Sequence, residues 1–148
     1  LGLADVEVGE KLRSKSLTLA GMNLLLSCWS KFEDDVAVIS DIGEVLFNVG
    51  DDEHSAAVYE QAIRVEPDVA RHYVHAAAAL RAAHDKLKAV DYLEKALQLD
   101  PLQREPYEDL GEIYSELGNT EMARRTRERY RQAFPGTVAA QTGAQKSN

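Results

Sequence analysis

Small and apolar residues recur along most of the chain at the i, i+3, i+4, i+7 spacing of amphipathic helices. These stripes come in pairs, with a glycine or a histidine between the two members and a proline after the second. The first members occupy residues 39–46, 73–80 and 107–114, and the second members occupy residues 56–63, 89–97 and 122–130. The pattern predicts an all-α protein built from helical pairs.

One interval relates the three pairs to each other. Pro67, Pro101 and Pro135 are each 34 residues apart. Small residues in the first helices keep the same interval: Gly43, Ala77 and Gly111. A period near 34 with helical patterning indicates a stacked array of helix–turn–helix units. We therefore predict repeats at residues 36–69, 70–103 and 104–137.

The two ends of the chain depart from this pattern. We interpret residues 1–35 as a degenerate N-terminal repeat or cap, with an unrelated helical hairpin as the alternative. Residues 138–148 are rich in Ala, Gln, Gly and Ser, which predicts a flexible tail. Because the sequence begins at Leu1 without an initiator Met, we expect it to be a segment of a longer protein.

The turn inside each pair has a fixed chemistry. Gly50, His84 and Gly118 occupy the same place in the three units. Glycine adopts the left-handed conformation that ends helices, and histidine is among the other residues that tolerate it. We therefore predict a turn role for His84. The residues that follow can each cap the next helix: Asp51, Asp85 and Asn119.

These features resemble the tetratricopeptide repeat family. In that family a large apolar, a small and a Tyr or Leu residue mark the first helix. A small, an aromatic and another small residue mark the second, and a Pro closes the unit. The matching residues are Ile39, Gly43, Leu46, Ser55, Tyr59, Ala62 and Pro67; Tyr73, Ala77, Leu80, Ala89, Leu93, Ala96 and Pro101; and Tyr107, Gly111, Tyr114, Ala123 and Pro135. Arg127 and Tyr130 depart from the pattern in the third copy.

The resemblance implies a superhelix of stacked antiparallel helix pairs that binds a protein or peptide on its concave face. It implies no catalytic residue, no cofactor and no metal. The small positions are expected to lie where helices cross, so that larger side chains would force the backbones apart. On this basis both Ala96→Phe and Gly111→Leu are expected to overpack the core.

The faces of the first helices that the core stripes leave free can line the concave surface. They supply the predicted partner-binding residues: Ser40, Glu44, Phe47, Asn48, Arg71, Val74, Ala78, Arg81, Glu105, Glu108, Glu112 and Glu116. The last four form a row of like charges on one helix, which is destabilising unless it is offset. Two interpretations stay open: a solvated face eased by Arg71 and Arg81, or an acidic groove for a basic or amide-rich segment.

One subtype of the family binds the C-terminal carboxylates of heat-shock chaperones through Lys, Asn and Arg. The matching positions here are Ser40, Glu44, His75, Glu105 and Asp109, and none has the required identity. Three of them carry negative charge. We therefore do not expect that activity.

Other candidate chemistry is weaker. His72 and His75 lie three residues apart without a third ligand in sequence, so we expect surface or groove histidines rather than a zinc site. Cys28 occupies a small-residue position and is expected to be buried. The last helix is basic, but its arginines lie all round it: Arg124, Arg125, Arg127, Arg129 and Arg131. A nucleic-acid patch would concentrate them on one face beside aromatic residues.

The formal net charge of −8 favours basic or neutral partners over nucleic acid. No apolar run reaches the ~18 residues of a membrane span, so we expect no membrane partner. We predict a protein-interaction or scaffold module. The alternatives are a self-assembling or intramolecular scaffold element within a larger protein, with a homo-oligomer as one form, and the helical part of a nucleic-acid regulator.

Overall fold

The computed structural model describes residues 34–135, together with residues 20, 21, 23, 24, 26, 27 and 30–32. Between residues 34 and 135 the chain forms six helices: α1 (Val36–Asn48), α2 (Asp52–Val65), α3 (Ala70–Ala82), α4 (Lys86–Leu99), α5 (Glu105–Glu116) and α6 (Thr120–Ala133). The described residues contain no strand, and the all-α prediction is confirmed. Most of the predicted N-terminal repeat, Cys28 and the predicted tail lie outside the described residues.

The helices pack in chain order. Each one lies against the next, which makes three hairpins, α1–α2, α3–α4 and α5–α6. The first helices of the second and third hairpins, α3 and α5, also contact each other. This stacking places α1, α3 and α5 side by side along one surface.

The turns follow the predicted chemistry. Gly50, His84 and Gly118 all have positive φ, at 81°, 68° and 71°, which confirms the turn role of His84. Asp35, Asp85 and Asn119 cap helices by accepting hydrogen bonds from the backbone N–H three residues later.

The prediction for Asp51 as a side-chain cap is wrong. Asp51 stands at the N-cap position of α2, but its side chain accepts no capping hydrogen bond from the backbone. Its carboxylate lies 2.8 Å from Nδ1 of His54 instead. The partner of this carboxylate is thus the imidazole three residues into the helix and not a backbone N–H.

Substitutions at His84 are expected to separate the free-energy cost of the positive φ from the contribution of the imidazole side chain. His84→Gly should leave the melting temperature unchanged or raise it slightly, because Gly tolerates positive φ but gains freedom in the unfolded chain. His84→Val should destabilise by ~1 kcal/mol or more, because β-branched residues are least tolerated there. Thermal melts of both variants check this. A His84→Val variant with the same melting temperature as the wild type would contradict this prediction.

The core explains why small residues recur. Ala62 on α2 and Ala96 on α4 are fully buried. The Ser55 hydroxyl donates a hydrogen bond to the Gly43 carbonyl at 2.8 Å, and the Tyr59 ring covers Gly43. A Cβ added at Gly43 would lie 2.8 Å from Cζ of Tyr59. The predicted close crossing of α1 and α2 is therefore confirmed.

Gly111 does not serve the same purpose, and the prediction that Gly111→Leu overpacks the core is wrong. A Cβ added at Gly111 would meet no atom within 4 Å. The register partner of Tyr59 in the third hairpin is Arg127, whose side chain is exposed. Without an aromatic ring across the crossing, the space beside Gly111 stays open.

Two tyrosines join neighbouring hairpins. The Tyr73 hydroxyl on α3 donates a hydrogen bond to the Pro67 carbonyl at 2.9 Å. The Tyr107 hydroxyl on α5 donates in the same way to the Pro101 carbonyl at 3.2 Å. Both carbonyls are free to accept because the helix before each proline has ended. The aromatic residue and the closing proline of the repeat pattern are thus bonded across each border.

Candidate binding groove

The surface made by α1, α3 and α5 contains two adjoining cavities. The first, of about 440 Å³, lies mainly between α3 and α5. Its apolar lining residues are Phe47, Ala77, Ala78, Ala82, Leu93 and Ile113. Its charged lining residues are Arg81, Lys86, Asp109 and Glu116. Small side chains on α3 leave this space open, and the charged residues give it polar edges.

The second cavity, of about 310 Å³, reaches from α1 across α3 to α5. Phe47 and Ala78 line both cavities, so the two adjoin at these residues, and we call the pair the groove. Phe47 is 40% exposed although it is a large apolar residue. The other lining residues are Glu44, Asn48, Tyr59, Val74, His75 and Glu105.

The structure brings eight of the twelve predicted residues to these two cavities: Glu44, Phe47, Asn48, Val74, Ala78, Arg81, Glu105 and Glu116. Val74 is only 4% exposed, so it contributes a buried floor rather than a contact surface. Arg71 lines a neighbouring cavity of about 610 Å³ with Val74 and Glu105. Ser40 lines none of these cavities.

Glu108 and Glu112 lie elsewhere. They line a separate hollow of about 430 Å³ with Gly111, Ser115, Glu116 and Arg127. Of the acidic row on α5, therefore, Glu105 lines the groove, Glu116 lines both the groove and the hollow, and Glu108 and Glu112 line only the hollow.

Arg81 offsets part of the negative charge of the acidic row. This agrees with the interpretation in which cations on α3 ease the repulsion along α5. Its guanidinium lies 2.8 Å from Glu112, 3.5 Å from Asp109 and within hydrogen-bond distance of Glu116. Lys86 adds a second cation 3.0 Å from Glu116. Hydrogen bonds from Arg81 and then Lys86 lower the pKa of the Glu116 carboxyl. Arg71, the other predicted cation, forms no ion pair with a described residue.

Two charged residues of the groove are absent from the predicted set. Asp109 follows Glu108 directly and is turned about 100° around the helix from it, which points it to Arg81. Burial, and then the charge of Glu105, raise the pKa of the Asp109 carboxyl. Lys86 starts α4, and no feature of the first-helix pattern indicates it.

Glu44 and Glu105 stand on either side of His75, and neither forms an ion pair with a described residue. The His75 ring packs on Tyr59 with their centroids 5.1 Å apart. Burial lowers the pKa of His75, and the charges of Glu105 and Glu44 oppose that shift. Burial and the charge of Glu44 raise the pKa of Tyr59 to about 12. His75 is therefore a neutral group between two carboxylates at neutral pH.

His72 is not a surface or groove residue, which corrects the expectation for this histidine. It is buried at the start of α3, and its Nε2 lies 2.9 Å from Glu66. The imidazole points back to the turn before α3, away from His75 and the groove. Among the described residues no three His, Cys, Asp or Glu side chains are placed to hold a metal ion.

The basic residues of α6 are largely paired with carboxylates. Arg124 pairs with Glu121 and Glu128 on the same helix, and Arg125 also pairs with Glu121. Arg129 lies 2.7 Å from Glu94 on α4. Three of the five arginines of α6 thus have their charge offset, which reduces the positive field that this helix presents to phosphates.

No helix in the described part of the chain has the length and apolar composition that crossing a bilayer requires.

Comparisons with known proteins identify the fold. Residues 38–69 match the sequence model of the tetratricopeptide repeat. A crystal structure of MamA superposes with a TM-score of 0.69 at 20% identity, over 90% of this chain and 78% of that one. A structure of MamA from Desulfovibrio magneticus RS-1, residue 41 to the end, gives a TM-score of 0.67 at 16% identity, over 90% and 73%. No curated protein matches the sequence.

Proposed function

We propose, from the premise that this chain is a tetratricopeptide repeat protein, that its groove along α1, α3 and α5 holds a segment of a partner protein. Membership of the family supports a protein-interaction or scaffold module. The observation that carries the finer proposal is that two cavities adjoin at Phe47 and Ala78. Because the cavities adjoin, two neighbouring side chains of one partner segment can enter them together.

The composition of the groove supports binding rather than a reaction. Its lining mixes small apolar side chains with charged ones, which is typical of surfaces that recognise a peptide through pockets and a polar surround. An exposed aromatic residue at the junction, Phe47, is the kind of side chain that dominates binding energy at interfaces.

Blocking the junction of the cavities is expected to weaken binding. A peptide selected from an unbiased random display library should perturb the NMR signals of α1, α3 and α5 more than those of α2, α4 and α6. Ala78→Arg should weaken the binding of that peptide by about tenfold or more, because the long side chain occupies space where the two cavities adjoin. Gln98→Arg, which adds the same charge at an exposed position of α4, is the control.

Two outcomes count against the groove as the site. One is a map of NMR shifts confined to the second helices of the hairpins. The other is an Ala78→Arg variant that binds the selected peptide as tightly as the wild type while the Gln98→Arg variant does the same.

A further inference from the structure

The groove contains an apolar subsite with two unpaired carboxylates. Glu44 on α1 and Glu105 on α5 line the 310 Å³ cavity, and both are exposed. Neither lies within ion-pair distance of a described cation. By contrast, the carboxylate of Glu116 in the adjoining cavity is occupied by Arg81 and Lys86. The carboxylates of the groove that have no ion-pair partner among the described residues thus lie at one end; Arg71 and Arg104 line the neighbouring cavity with Glu105 but form no ion pair with it.

Apart from these carboxylates the cavity is mostly apolar, with Asn48 and His75 as its other polar lining. Phe47, Val74 and Ala78 line it from α1 and α3. A lysine or arginine side chain combines an aliphatic stem with a cationic end, and it gains most where the stem lies on apolar surface while the charge meets a carboxylate. An acidic side chain would be repelled here, and a purely apolar one would leave both carboxylates without a counter-charge.

We infer that the cavity between α1, α3 and α5 is a subsite for one lysine or arginine side chain of the partner. In this subsite the cation lies between Glu44 and Glu105 and the stem lies on Phe47 and Ala78; the inference rests on the proposed function of the groove. The adjoining cavity, whose accessible apolar lining is Phe47, Ala78 and Ala82, then receives a neighbouring apolar side chain of the same segment. The partner segment is therefore one that carries a basic residue next to an apolar one.

His75 makes this subsite sensitive to pH. It lines the same cavity, and the charged or titratable groups near it are Glu44 of α1, Tyr59 of α2, Arg71 and His72 of α3, and Glu105 of α5. Its pKa is lowered, so the ring is neutral above pH ~6.5. As the pH falls through that lowered pKa, the ring gains a positive charge beside the bound cation. Binding of a basic side chain should therefore weaken on acidification.

Two mixtures of short acetylated, amidated peptides test the subsite directly. They differ only in the central residue, which is lysine in one and its neutral analogue norleucine in the other. Each remaining position of the peptides is randomised among Ala, Leu, Ser and Gln. Retention on the immobilised protein is measured by mass spectrometry at about pH 8 and about pH 5.5, where most Glu side chains are still ionised.

The wild type should retain the lysine peptides about fivefold over the norleucine peptides at the higher pH. The excess should disappear in Glu44→Gln/Glu105→Gln. It should persist in Glu53→Gln/Asp91→Asn, which removes the same charge from exposed positions on α2 and α4. Any loss of the excess at the lower pH in the wild type should be absent in His75→Gln.

Equal retention of the two mixtures by the wild type would overturn the subsite, as would an excess that survives Glu44→Gln/Glu105→Gln. Retention of neither mixture would also overturn it. A display-selected peptide that still maps to α1, α3 and α5 would in that case leave the proposed function of the groove standing. Matching thermal melts of the variants ensure that losses come from the subsite and not from unfolding.

Discussion

Gly43→Leu is expected to lower the free energy of unfolding by about 2–3 kcal/mol, whereas Gly111→Leu should raise it by about 0.5–1 kcal/mol. The two glycines occupy the same position in their hairpins, and leucine improves the helix propensity of both. They differ in what lies across the crossing. Gly43 faces the ring of Tyr59, which is itself 4% exposed, while Gly111 faces open space. Urea denaturation of the two variants measures the difference.

The pair provides its own control, because the chemical change is identical. A Gly43→Leu protein as stable as the wild type would mean that the Tyr59 ring can move aside at little cost. A Gly111→Leu protein with a large loss would mean that another element packs beside α5 in solution.

Ala96→Phe is expected to cost about 1–3 kcal/mol or more. Ala96 lies on the inner face of α4 with no exposed surface, in a cluster with Ala70, Tyr73 and Val74 of α3. A phenyl ring at this position has to displace α3. Since Val74 also forms the floor of the groove, the displacement should weaken peptide binding as well as stability.

Gln98→Phe is the matched control, because it adds a large apolar side chain to an exposed position of the same helix. Its melting temperature should stay close to that of the wild type. If Ala96→Phe also left the melting temperature unchanged, the close approach of α3 and α4 described here would be incorrect.

The fold was predictable because its determinants are local. Helical spacing and a repeated proline indicate the hairpins, and Gly50, His84 and Gly118 mark the turns through their tolerance of positive φ. The error at Gly111 has a physical origin. A small residue indicates a close crossing only when its partner is bulky, and in the third hairpin that partner has become the exposed Arg127.

The candidate groove was predictable only in part. Register along the first helices was enough to locate Phe47 and Ala78, since it fixes the face on which a side chain lies. It did not predict which charges pair. The contacts of Arg81 with Asp109, Glu112 and Glu116 join residues about 30 positions apart, and they depend on the spacing between α3 and α5. Which carboxylates form ion pairs and which do not could therefore be determined only from the structure.

The bonds from Tyr73 to Pro67 and from Tyr107 to Pro101 have a consequence for cooperativity. Each couples one hairpin only to the hairpin before it, so stability propagates along the array as a chain of nearest-neighbour terms. The middle hairpin takes part in both couplings, and each outer hairpin of the described array takes part in one. Partial unfolding is therefore expected to proceed inward from the ends, and α3, at the centre of the groove, is expected to belong to the hairpin that opens last.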